Sequence, residues 1–143
     1  MSARWIPGEV PPADETTAPW WEATTRHELI VQTCACGHHQ HPPRALCTAC
    51  GATDELGWTA AVGTGVVDTF TVVHRAPRAD VAVPYVIARV RLVEGPVLLT
   101  RLEGRDDPET WSIGDPVVVT WTDLPDGRAL PSFLPPDVTI EES

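Results

Sequence analysis

Across the second half of the chain, apolar and Thr positions gather in Val- and Thr-rich runs cut by Gly and Pro, the pattern of β-strands. These runs predict strands at 58–74, 84–92, 96–103, 116–122 and 129–134. Val93-Glu94-Gly95-Pro96 and Pro125-Asp126-Gly127 carry the turn residues that close hairpins between them. The first run is too long for one flat strand. Gly63 and Gly65 sit where a bulge or strong coil would let it curve and serve two sides of a barrel. Five such strands, with short separations between hairpin partners, predict a small closed barrel of the OB type, although a β-sandwich fragment shares most of the pattern.

The first third reads differently. Residues 1–18, rich in Pro and acids, predict an extended or disordered arm that does not fold alone. From Pro19 the stretch Trp20 to Leu29 predicts a short helix with Pro near its start, and Leu29 to Thr33 a strand. Trp20 and Trp21 are large apolar residues on a small element, suited either to core packing or to a partner-facing patch. The organisation expected is thus an arm at 1–18, a helix with a metal ribbon at 19–56, the barrel at 57–136 and a tail at 137–143.

The ribbon is inferred from four cysteines, all that the chain has: Cys34-Ala-Cys36-Gly37 and Cys47-Thr-Ala-Cys50-Gly51, with ten residues between the pairs. Tetrahedral zinc, with thiolates at roughly 2.3 Å, needs two pairs brought together across a loop, each turn eased by a Gly. The second pair has the usual spacing. In the first, with one intervening residue, an extended strand would hold the two sulfurs about 7 Å apart, so the chain must bend sharply at Ala35. His38, His39 and His41 offer imidazole nitrogens that could replace a poorly placed sulfur; the alternative for each is a solvated loop position. Other fates for the thiols are disulfides, four buried thiols or a ribbon that has lost its metal. With neither a basic nor an apolar leader region in Met1 to Pro12, a reducing cytoplasm is expected and disulfides are disfavoured.

Charge and composition narrow the chemistry. The 143 residues suffice for one moderate core, and no run approaches the ~20 apolar residues of a membrane span. The net charge of −10 repels polyanions, and a single Phe in the first β run makes a poor stacking groove, so nucleic acid is disfavoured as a partner even though ribbons and OB barrels can bind single strands. All ten basic residues are Arg, so this chain cannot form a lysine Schiff base. Candidates for catalysis are few: His74, Asp68, Tyr85, Ser112, Ser132 and Ser143. Four thiolates around zinc would fill its coordination sphere and make the metal structural. No catalytic residue is therefore assigned to the chain.

The order "LIVQTCACGHHQHPPRALCTACG", "GTGVVDTFTVVHRAP", "PYVIARVRLVEGPVLLTRLEG" resembles a family of acyl-CoA-associated proteins, formerly a domain of unknown function, that join a rubredoxin-like zinc ribbon to an OB fold. The similarity covers about residues 19–135 and departs from the family only in the shortened first knuckle. It implies structural zinc on Cys34, Cys36, Cys47 and Cys50 and a thiolase-fold partner, two copies of each chain, that holds the catalytic residues. It also implies an acyl-CoA thioester as the substrate of the complex. Assemblies of this kind include an archaeal thiolase and synthase complex, and aldolases that release propionyl-CoA from a steroid side chain. The second is the better match to this Arg-only, Pro-rich chain. Arg44, Arg75 and Arg78 are the candidates for CoA phosphates, against a plain reading as solvated surface charges.

Overall fold

The computed structural model describes residues 10–138. Pro at the first turn and alanine-bounded apolar residues start a seven-residue helix, α1 (Ala18–Thr24). It ends earlier than the predicted helix to Leu29 because the Thr24 and Thr25 hydroxyls turn back to the carbonyls of Trp21 and Glu22, both at 2.6 Å. The Glu28 N–H then closes on the Ala23 carbonyl and the His27 N–H on that of Thr24. This is a Schellman cap with His27, at φ 55°, where Gly is usual. The His27 ring is held there by Trp121, stacked at 5.5 Å, and by Asp123 at 2.6 Å.

Three antiparallel strands follow: β1 (Ile30–Cys34), β2 (His39–Gln40) and β3 (Leu56–Ala60), in the order β2-β1-β3. The long run at 58–74 is therefore two strands. Its first part pairs with β1 from Leu56↔Cys34 to Ala60↔Ile30. The chain turns at Gly63, φ 90°, and starts the barrel as β4 (Thr64–Val73). A Cβ at Gly63 would stand 2.6 Å from the Val119 side chain, and one at Gly65 would run into the Arg91 carbonyl. Both glycines thus permit the close approach by which β4 reaches two neighbours.

The barrel closes as β4-β5-β6-β8-β7, with β5 (Tyr85–Leu92), β6 (Val97–Leu102), β7 (Pro116–Asp123) and β8 (Ala129–Leu134). β4 pairs with β7 through Thr64–Val66 and with β5 through Gly65–Val73, with a bulge between Val67 and Thr69, so it curves as its glycines predicted. Both predicted hairpins are present: Leu92 N–H bonds to Pro96, and Leu124 N–H to Arg128. Along β5, Val86, Ala88, Val90 and Leu92 point inward, meeting Leu98, Leu102, Trp111, Val117 and Phe133. Leu29 and Val31, from the ribbon side, belong to that same core. The ribbon sheet and barrel are consequently packed as one unit, with β1 acting as a lid on the barrel.

Candidate metal centre

Cys34 ends β1, and the chain bends within the next three residues. Cys34 N–H bonds to the His38 carbonyl and Gly37 N–H to the Cys34 carbonyl, each at 2.9 Å, with Gly37 at φ 95°. Ala35 N–H is held by the Glu55 carbonyl at 3.1 Å. The sharp bend at Ala35 required by the short spacing is thus stabilised on both sides of the residue. The second knuckle repeats the device: Cys47 N–H bonds to the Ala52 carbonyl and Gly51 N–H to that of Cys47, with Gly51 at φ 81°.

The two turns bring the four sulfurs within 4.8 Å of one another. Cys34 Sγ lies 3.6 Å from Cys50 Sγ, and Cys36 Sγ 3.8 Å from Cys47 Sγ. A tetrahedron of thiolates at 2.3 Å from zinc has edges of roughly 3.8 Å. The four sulfurs therefore fit zinc, and their spacing is well beyond a disulfide bond length of about 2.05 Å. Amide donors, chiefly from Cys50 and then Ala49, hold the Cys47 thiol down at about 6. At Cys34 the amide of Cys36 acts in the same direction, but burial and the neighbouring sulfurs outweigh it and push the thiol up to about 12. A divalent cation among the sulfurs would relieve that crowding of charge.

The histidines do other work. His38 Nε2 bonds to the Thr48 hydroxyl at 3.0 Å, His39 Nδ1 to that of Thr33 at 2.8 Å, and His41 packs against Trp20 at 5.7 Å. Among the described residues only the four cysteines form a group spaced to hold a metal.

Two glutamines that sequence reading missed hold the second knuckle. The Gln40 amide donates to the Leu46 carbonyl at 3.0 Å, and its oxygen accepts from the Thr48 N–H at 2.9 Å, so it brackets Cys47 from both sides. Gln32 does the same for Arg44, accepting from its N–H at 2.8 Å and donating to its carbonyl at 2.9 Å. A 2.7 Å bond from Gln40 to Gln32 links the pair, and both side chains are buried. The only sequence signal was their place on strands beside a metal motif.

The remaining candidates are dispersed. Arg44 projects from the ribbon loop; Arg75 and Arg78 lie exposed between β4 and β5, Arg78 beside Asp80 at 3.4 Å. His74 is exposed, Asp68 pairs with Arg91 and Arg89, and Tyr85 lies 4.6 Å beneath the Arg101 guanidinium. The Ser112 backbone N–H donates to the Asp115 carboxylate at 2.8 Å, Ser132 is buried, and Ser143 lies outside the described residues. These side chains do not converge on one nucleophile and base.

The fold and site together define a protein in which a four-cysteine ribbon is joined to an OB barrel. Residues 21–56 match the family described as "ChsH2, rubredoxin-like zinc ribbon domain", and residues 58–122 the one described as "ChsH2, C-terminal OB-fold domain". The chain belongs to this ChsH2-type, DUF35 family of zinc-ribbon and OB-fold proteins. It is 39% identical over 136 residues to the "Probable enoyl-CoA hydratase alpha subunit" of Thermomonospora curvata, covering 93% of this chain and 41% of that one. It is 38% identical over 117 residues to the "3-oxo-4,17-pregnadiene-20-carboxyl-CoA hydratase alpha subunit" of Mycobacterium tuberculosis, covering 81% of this chain and 37% of that one. The chain thus spans about two fifths of the length of these curated relatives. A chain of the solved "Ltp2-ChsH2(DUF35) aldolase" superposes with a TM-score of 0.79 at 38% identity, covering 88% of this chain and 98% of that one.

Proposed function

We propose that this chain is a non-catalytic subunit that docks on a thiolase-fold partner and completes an enzyme acting on acyl-CoA thioesters. The carrying observation is the match to nearly the whole of one chain in a two-component aldolase. In this reading Cys34, Cys36, Cys47 and Cys50 hold a structural zinc, whose chemistry is to fix the two knuckles. Arg44, Arg75 and Arg78 are exposed, Arg78 beside Asp80, and are the guanidiniums offered to CoA phosphates. The reaction is retro-aldol cleavage of a steroid side-chain CoA thioester with release of propionyl-CoA, as in sterol catabolism. The acid and base groups then come from the partner, since this chain's Asp68 and Tyr85 are engaged by arginines. Two copies of each chain follow if the partner is itself a dimer.

Copurifying the chain with a thiolase-fold protein and assaying propionyl-CoA release from a steroid side-chain CoA thioester tests this. The complex is expected to be active and the isolated partner impaired. Full activity of the isolated partner would overturn the reading. The names of the two curated relatives favour a second reading, an accessory role beside an enoyl-CoA hydratase. Hydration of the unsaturated thioester by a complex lacking aldolase activity would support it.

A further inference from the structure

Zinc ligation holds all four cysteines as thiolates, so which sulfur reacts first is decided by access and by the hydrogen bonds each accepts. Both differ across this site. Cys34 and Cys47 are buried, at 3% and 1% exposure, whereas Cys36 and Cys50 are exposed. Amide N–H groups face three of the sulfurs: those of Cys50 and Ala49, the latter at 3.4 Å, on Cys47, that of Cys36 on Cys34, and that of Ala52 on Cys50. Cys36 Sγ has no amide donor among the described residues; its contacts are with other sulfurs, that of Cys47 at 3.8 Å.

The first knuckle, shorter by one residue, thus has one amide for its two sulfurs where the second has three. An amide hydrogen bond disperses the charge of a thiolate and makes it a poorer nucleophile, while exposure admits the electrophile. On both counts Cys36 comes first. Its neighbour Cys47 is buried but lies across the knuckles within reach of it, which suits a second step better than a first.

We propose that Cys36 is the site at which hydrogen peroxide oxidises the ribbon, with Cys47 as the residue that resolves it. The Cys36 sulfur attacks the peroxide: an S–O bond forms, the O–O bond breaks, and the departing oxygen leaves as water after protonation. The Cys47 sulfur then attacks the Cys36 sulfur. An S–S bond forms and the S–O bond breaks, releasing a second water. Two thiolates, one peroxide and two protons give one disulfide and two waters. Cys34 and Cys50 alone do not complete a tetrahedral site, so zinc is released.

The proposal rests on the zinc reading of the four cysteines and not on the docking role. The test uses the full chain loaded with one zinc, confirmed by metal analysis; a chain that takes up no zinc would remove the zinc reading and the proposal with it. Limiting N-ethylmaleimide, with the labelled cysteine located by mass spectrometry, should modify Cys36 about threefold or more faster than Cys50, and Cys34 and Cys47 more slowly still. Limiting hydrogen peroxide should release zinc in step with a cross-link between Cys36 and Cys47. Cys36→Asp keeps an anionic ligand that peroxide does not oxidise, and under the same dose its zinc should leave about threefold or more slowly than that of Cys50→Asp. Should either variant lose zinc before peroxide is added, the labelling order in the wild type decides. Cys50 labelled first or at an equal rate, or a cross-link that omits Cys36, would overturn the proposal and leave the zinc reading standing.

Discussion

Thr24 and Arg128 each hold several parts of the chain together. The Thr24 hydroxyl donates to the Trp21 carbonyl and accepts the N–H of Ala129 at 3.1 Å, tying α1 to the start of β8. Ala129 is fully buried, so Thr24→Val leaves its N–H with no water to replace the lost oxygen. The expected loss is about 1–3 kcal/mol, read from the denaturant midpoint at unchanged m-value. Arg128 lies 4.4 Å over the Trp21 ring, bonds to Asp126 at 2.7 Å, and donates to the Pro11 carbonyl at 2.7 Å. It thus fastens the arm and helix to the β7–β8 hairpin. Lysine keeps the charge but not the planar fork, and Arg128→Lys is expected to cost about 1–2 kcal/mol by the same measurement. Neither residue stands out in the sequence, because the contacts that join the elements, Thr24 to Ala129 and Arg128 to Trp21 and Pro11, each span about a hundred positions and no local pattern encodes them.

At the scale of elements, legibility followed the source of the stabilising contacts. β5, β6, β7 and β8 lie within a residue or two of their predicted spans because each is a Val-, Leu- or Thr-rich run bounded by turn residues, β5 also burying alternate side chains. The division of the long run 58–74 was not legible: Ala60-Ala61-Val62 stays apolar through the break, and only the pairing of β3 with β1 reveals it. The cysteine motif was legible as a ribbon, while the Gln32 and Gln40 pair that positions it was not, since buried amides on strands read as polar outward positions. That pair carries a prediction. Gln40→Leu preserves volume but releases the residues on both sides of Cys47, and zinc transfer to a chelator should quicken with a 10- to 100-fold loss of affinity. Gln40→Glu, which retains only the acceptor, should fall between. Equal zinc affinities in all three proteins would show that the knuckle holds itself.

His41 joins ribbon to helix and barrel, so its ionisation acts on the whole molecule. Burial pushes its imidazole down to about 4, below the ordinary value of 6.5. The unfolded chain therefore binds this proton first, and folding stability falls as pH drops from about 6.5 to about 4, by at most roughly 3 kcal/mol. His41→Phe should flatten that part of the profile. Metal removal acts on a different scale. β1 carries Cys34 at its end, yet its Val31 lies in the barrel core, and its five pairings with β3 involve no sulfur. A chelator should therefore loosen the two knuckles, residues 34–51, while β1 stays on the barrel. Amide exchange is expected to quicken across those residues and remain slow at Val31, Val90 and Phe133. Collapse of protection at all three on chelation would mean that the metal holds the lid as well as the knuckles, and that ribbon and barrel stand or fall as one cooperative unit.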